Sequence, residues 1–195
     1  MNSLYRALAI MQPTTPTSKR RPILGTIVVC AIAAAGYFIL APEPPQVLTP
    51  TELATVTAAD TFTRVAGAGQ RTMHVFISVD CSFCRKVEPE LALLRNVTLR
   101  YHLLPGHSAS GKREAVHVWC AADQVKAWET VAQGGTAPAA ECESAALDRN
   151  LALVTKLKIE RTPAMILPDG RVLTGASSKD ALEAELARNE AQSAK

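Results

Sequence analysis

The chain is poor in aromatic side chains, at 5% of 195 residues, and its formal net charge is only +3. It has no basic stripe interleaved with aromatics, so nucleic-acid binding is set aside. No internal repeat is present. His74, His102, His107 and His117 show no metal-ligand spacing, so neither a metal nor any other cofactor is implied. Lysine and arginine are missing altogether between Arg21 and Arg64.

Hydrophobic residues and cysteines are plentiful. Much of the apolar content sits in one block, Ile23 to Ala41 (ILGTIVVCAIAAAGYFILA), nineteen residues without a charge. That length suffices for a helix to cross a bilayer core. Lys19, Arg20 and Arg21 precede it, and the long gap to Arg64 follows. This asymmetry keeps positive charge on the cytoplasmic side and exports the C-terminal part. The expectation is a cytoplasmic tail over 1–22, a transmembrane helix over 23–41 and a single-pass protein in the bacterial inner membrane. A cleaved signal peptide ending near Ala33-Ala34-Ala35, giving a soluble periplasmic protein, is the alternative. Tyr37, Phe38, Ile39 and Leu40 carry the apolar run past that point. Cys30 lies inside the block and reads as an apolar side chain in lipid.

Residues 42–48 are a Pro-rich spacer. Thr49, Pro50 and Glu52 form a helix start with a capping box, and a short helix to about Arg64 is expected, making 42–66 a spacer-and-helix segment. The domain proper is expected over 67–190. Arg71 to Val79 reads as a buried strand. In the helix after it, Cys84, Val87, Leu91 and Leu94 share one face. Thr98 to Leu104 alternates as a second strand. Helices are expected over Lys112 to Ala132 and Ser144 to Ile159, the latter with Leu147, Leu151, Val154 and Leu157 on one side. Ala164 to Leu167 and Arg171 to Thr174 read as strands around a Pro-Asp-Gly turn, and Ser178 as the cap of a last helix. This order gives an α/β class.

The other four cysteines fall in two pairs, the even count an oxidising compartment leaves. Cys81 and Cys84 form a CxxC between the strand and the helix. At a helix start the first sulfur faces unpaired backbone N–H groups and the positive end of the dipole, which favours thiolate. Cys81 is thus the expected nucleophile, and Cys84, one turn further in, resolves a mixed disulfide. A plain disulfide would close almost no loop and gain little chain entropy. Half a zinc site would need two more ligands at suitable spacing. A bridge between Cys120 and Cys142 would close a 22-residue separation, about 3 kcal/mol in the chain-entropy account, and reads as structural. A second redox pair is its alternative. Thr162-Pro163 precedes a strand pattern. A cis bond there would bring backbone to the sulfurs and let it pair with an extended substrate, whereas an ordinary strand-initiating proline needs none of this. His107 and the lysines and arginines at 126, 156, 158 and 161 read as solvated, and Trp119 and Trp128 as packing residues.

From about Arg71 to Ala187 the sequence resembles the thioredoxin superfamily, and within it the bacterial periplasmic disulfide isomerases of the DsbC/DsbG type. The resemblance is carried by VFISVDCSFCRKVEPEL, LRYHLLPG, VHVWCAADQVKAWETV, APAAEC and KIERTPAMILPDGRVLTG. It implies a thioredoxin-like α/β fold with an inserted helical segment. It also implies Cys81 as attacking and Cys84 as resolving cysteine, Thr162 and Pro163 as a substrate-contacting cis-proline pair, and Cys120–Cys142 as a structural bridge. Pro89 is similar to the helix-kinking proline of thioredoxins. Ser82-Phe83 departs from the usual dipeptide, and without a histidine between the cysteines a strongly oxidising site is not implied. Family isomerases carry an N-terminal dimerisation domain, for which residues 42–66 leave no room. The expected function is a disulfide isomerase or reductase of periplasmic cysteine-containing proteins, supplied with electrons by a membrane thiol reductase. The alternatives are an anchored reductase serving one client, such as an apocytochrome or a secretion-system component, and a non-catalytic binding module.

Overall fold

The computed structural model describes residues 45–193. The tail expected over 1–22 and the transmembrane helix expected over 23–41 lie outside them. Among the described residues no helix is long and apolar enough to cross a membrane.

The elements run α1 (Pro50–Ala58), β1 (Phe62–Ala66), β2 (Arg71–Ser78), α2 (Ser82–Ala92), β3 (Val97–Leu104), α3 (Ala109–Cys120), α4 (Gln124–Ala132), α5 (Ala145–Lys156), β4 (Ala164–Ile166), β5 (Val172–Thr174) and α6 (Lys179–Ser193). The strands form one mixed sheet in the order β1-β3-β2-β4-β5. Only β2 and β3 are parallel, and α2 makes the crossover between them. The other three pairings are antiparallel. β2 is central and buried on both faces, which is why it reads as an unbroken apolar run.

Each sheet face has its own core. Met73, Val75 and Ile77 of β2 join Val87 and Leu91 of α2, Val118 of α3, Trp128 of α4 and Leu182 of α6 on one face. Phe76 points the other way, to Val56 of α1, Leu153 and Val154 of α5 and Leu157 just after it. Alternation along the strand thus divides the core.

Four expectations differ from the structure. The helix expected to reach about Arg64 stops at Ala58, and residues 62–66 form β1, an edge strand on β3. Its own pattern is short and alternating, and pairing of Phe62 with Tyr101 and Val65 with Thr98 decides its state. The stretch over 42–48 reads as a stiff, extended spacer, but its end is part of the domain: Leu48 N–H donates to Gly170 O and Val172 N–H to Gln46 O, both at 2.8 Å. The single helix expected over 112–132 is two, interrupted at 121–123, where the Asp123 carboxylate accepts from Lys126 N–H at 3.0 Å and caps α4. In α5, Leu151 is exposed rather than part of the buried stripe.

Candidate active site

The site forms where β2 hands over to α2. After Ser78 the chain turns, with Cys81 N–H bonded to Ser78 O at 3.1 Å and the Arg85 guanidinium donating to Val79 O at 2.8 Å. Cys81 is the N-cap of α2. Its sulfur takes the place usually held by a serine or aspartate oxygen and accepts the Cys84 N–H at 3.1 Å. Cys84 lies one turn further on, fully buried with Val87, Leu91 and Leu94, the face read from the sequence. Cys81 is half-buried, and both are free thiols.

The Thr162-Pro163 peptide bond is cis, and the Cys81 thiol donates to Thr162 O at 3.2 Å. Residues 81 apart in sequence are thereby in contact. Pro163 is buried and Thr162 half-buried at the entry to β4. Cys120 and Cys142 are joined in a disulfide with Cα atoms 5.5 Å apart, tying the end of α3 to the loop before α5. Trp128 is buried, Trp119 half-buried and His107 exposed.

The two thiols are electrostatically unlike. A hydrogen bond from the Cys84 thiol draws the Cys81 thiol down to about 5, against the effect of its partial burial. The Thr162 side chain and the N–H groups of Cys84 and Phe83 add to this. Burial and the bond to Cys81 push Cys84 far up. One sulfur is thus available as an anion at neutral pH while the other keeps its proton. Phe83, between them in sequence, is exposed, with the Lys86 ammonium 5.2 Å from its ring centre.

Two acidic residues escaped the sequence reading. Glu88 is buried beneath the site, and its carboxylate accepts from Arg64 Nη2 at 2.5 Å, Trp128 Nε1 at 2.7 Å and Tyr101 Oη at 3.2 Å. Burial raises its pKa, partly offset by Arg64. Its spacing of four from Cys84 puts it on the apolar face, the one signal that could have found it. The carboxylate of Asp80, beside Cys81 in the chain, accepts from His107 N–H at 2.6 Å and Ser108 N–H at 3.0 Å. No local pattern marks that contact across 27 residues.

A parallel–antiparallel sheet with a CxxC opening the crossover helix and a cis-proline against its first sulfur defines a thioredoxin-like domain. The model of the thioredoxin-like domain family matches residues 58–189, and the chain belongs to that family. Over 124 residues it is 35% identical to the probable thiol:disulfide interchange protein DsbC of Bordetella pertussis, which covers 63% of this chain and 44% of that one. With the thiol:disulfide interchange protein DsbC of Escherichia coli K12 it shares 30% over 110 residues, 54% of this chain and 46% of the other. The chain therefore spans under half the length of these curated relatives. Among solved structures, a disulfide interchange protein from Neisseria gonorrhoeae superposes with a TM-score of 0.61 at 27% identity, covering 66% of this chain and 94% of that one.

Proposed function

We propose that the chain is a thiol–disulfide oxidoreductase acting on disulfides of exported proteins, with Cys81 as nucleophile and Cys84 as resolving cysteine. The observation that carries this reading is the pair's asymmetry: a half-exposed sulfur at a helix start, held by a backbone N–H, above a buried one. The Cys81 thiolate attacks one sulfur of a client disulfide. A Cys81–client bond forms, the client S–S bond breaks and the second client sulfur leaves as thiolate. If that or another client thiol attacks the mixed disulfide, the client is re-paired with no net change of electrons. If Cys84 attacks Cys81 instead, the client leaves as a dithiol and Cys81–Cys84 is oxidised. A thiol reductase in the membrane is the proposed donor of the two electrons that restore it.

Thr162 and Pro163 are the proposed contact for the extended client segment, since Thr162 O already lies at the Cys81 sulfur. The Cys120–Cys142 bridge is read as structural, because it closes a 22-residue separation and ties the end of α3 to the loop before α5. The proposed location is the periplasmic face of the inner membrane. Its support is the charge-free stretch at 23–41 with the cations before it, and signal cleavage leaving a soluble periplasmic domain is the alternative.

The test is a Cys84→Ala variant, which stalls resolution. It is expected to accumulate mixed disulfides with exported proteins, dissolved by a reducing agent and absent when Cys81 is also replaced by serine. Equal adducts in the doubly substituted chain, or none in the single variant, would refute the assignment.

A further inference from the structure

We propose that Asp80 is a positioning residue for Cys81: its carboxylate docks on the residues that lead into α3 and anchors the turn that presents the sulfur to α2. The inference rests on the reading of Cys81 as nucleophile. Asp80 is the residue immediately before it. One carboxylate oxygen accepts the N–H groups of His107 and Ser108, and Ser108 is itself the N-cap of α3, its hydroxyl accepting from Gly111 N–H at 2.9 Å. The docking surface is cut to fit. A methyl group at Gly111 would overlap the Asp80 carboxylate, and one at Gly106 would overlap the Gly111 backbone. Two small residues thus let the loop before α3 close on Asp80.

The contact also settles an electrostatic conflict. A carboxylate next in the chain to Cys81 opposes a thiolate there. The unpaired N–H groups and the positive dipole end of α3 take up that charge. The Ser108 N–H chief among them lowers the Asp80 pKa, so the carboxylate is ionised throughout the working range. Docking thus limits, without abolishing, the opposition of Asp80 to the thiolate beside it.

Three substitutions in the full chain separate the two effects. Asp80→Asn keeps an acceptor but loses the charge, Asp80→Ala loses both, and Gly111→Ala pushes the carboxylate off α3 while leaving its charge and improving helix propensity. Two quantities are read: the midpoint of Cys81 thiolate absorbance against pH, and the limiting rate of exchange with a small aromatic disulfide above that midpoint. The midpoint should fall in Asp80→Asn and rise in Gly111→Ala, each by about half a pH unit, the size expected of one nearby charge in partly screened solvent. The limiting rate should drop about tenfold in Asp80→Ala and in Gly111→Ala through misplacement of the sulfur, with asparagine restoring it to within about threefold. Midpoints that stay fixed in both variants, or an unchanged limiting rate in a natively folded Asp80→Ala, overturn the role of Asp80. A wild-type Cys81 that titrates as an ordinary thiol instead overturns the functional reading beneath it.

Discussion

Replacing Glu88 with alanine tests how α2 is held beneath the reactive pair. Glu88 is 4% exposed, and its carboxylate receives three donors, from β1, β3 and α4. Removing one side of a buried ion pair costs about 3–5 kcal/mol. Arg64 keeps a second partner, Glu129 at 2.5 Å, which offsets part of this. The Tyr101 hydroxyl and the Trp128 indole N–H are left without acceptors, at about 1 kcal/mol or more each. A loss of about 4 kcal/mol is expected. Glutamine keeps the volume and one acceptor oxygen but not the charge, and should cost about half as much. Urea unfolding followed by far-ultraviolet circular dichroism gives both values, the m-value confirming that the two end states are unchanged. In a thermal scan the alanine variant should melt roughly 10 °C lower. A loss below about 1 kcal/mol at constant m would refute the claim that this carboxylate joins α2 to the sheet.

Acid should weaken the fold through His74 and His102, buried neighbours 2.9 Å apart on β2 and β3. Burial lowers His74 to about 4 and His102 to about 3. Their folded values lie below the unfolded one, so the unfolded chain binds more protons between them. Stability is complete above about pH 6.5 and falls as pH drops toward 3, and His102→Gln should flatten that slope in urea titrations. Replacing both Cys120 and Cys142 with serine should cost about 3 kcal/mol for a bridge spanning 22 residues, while leaving the Cys81 midpoint where it is. A midpoint that moved with that bridge would contradict its reading as structural.

The sequence disclosed those parts of the fold in which one segment states its own environment. The β2 run is apolar because both faces are covered, and the Cys84, Val87, Leu91, Leu94 stripe is buried because helical period alone puts it on one side. The location of the sulfurs followed from the same logic. What stayed hidden depends on distant partners. β1 exists because β3 offers an edge to Phe62 and Val65. The break between α3 and α4 falls at Ala121-Ala122-Asp123, where no glycine or proline marks it and only the Asp123 cap betrays it. Glu88 was legible in principle, since a carboxylate four residues from Cys84 on an apolar stripe must have donors. Asp80 was not, because its partners lie 27 and 28 residues away.

The central claim is that the sulfur of Cys81 is an anion at neutral pH. Its most direct test is the rate of iodoacetamide alkylation of the reduced protein from pH 3 to 10, with the modified residue identified by mass spectrometry. Modification is expected at Cys81 with a midpoint near 5, and none at Cys84 below the alkaline end. A midpoint near the ordinary thiol value of about 8.5, or faster modification of Cys84, would contradict it.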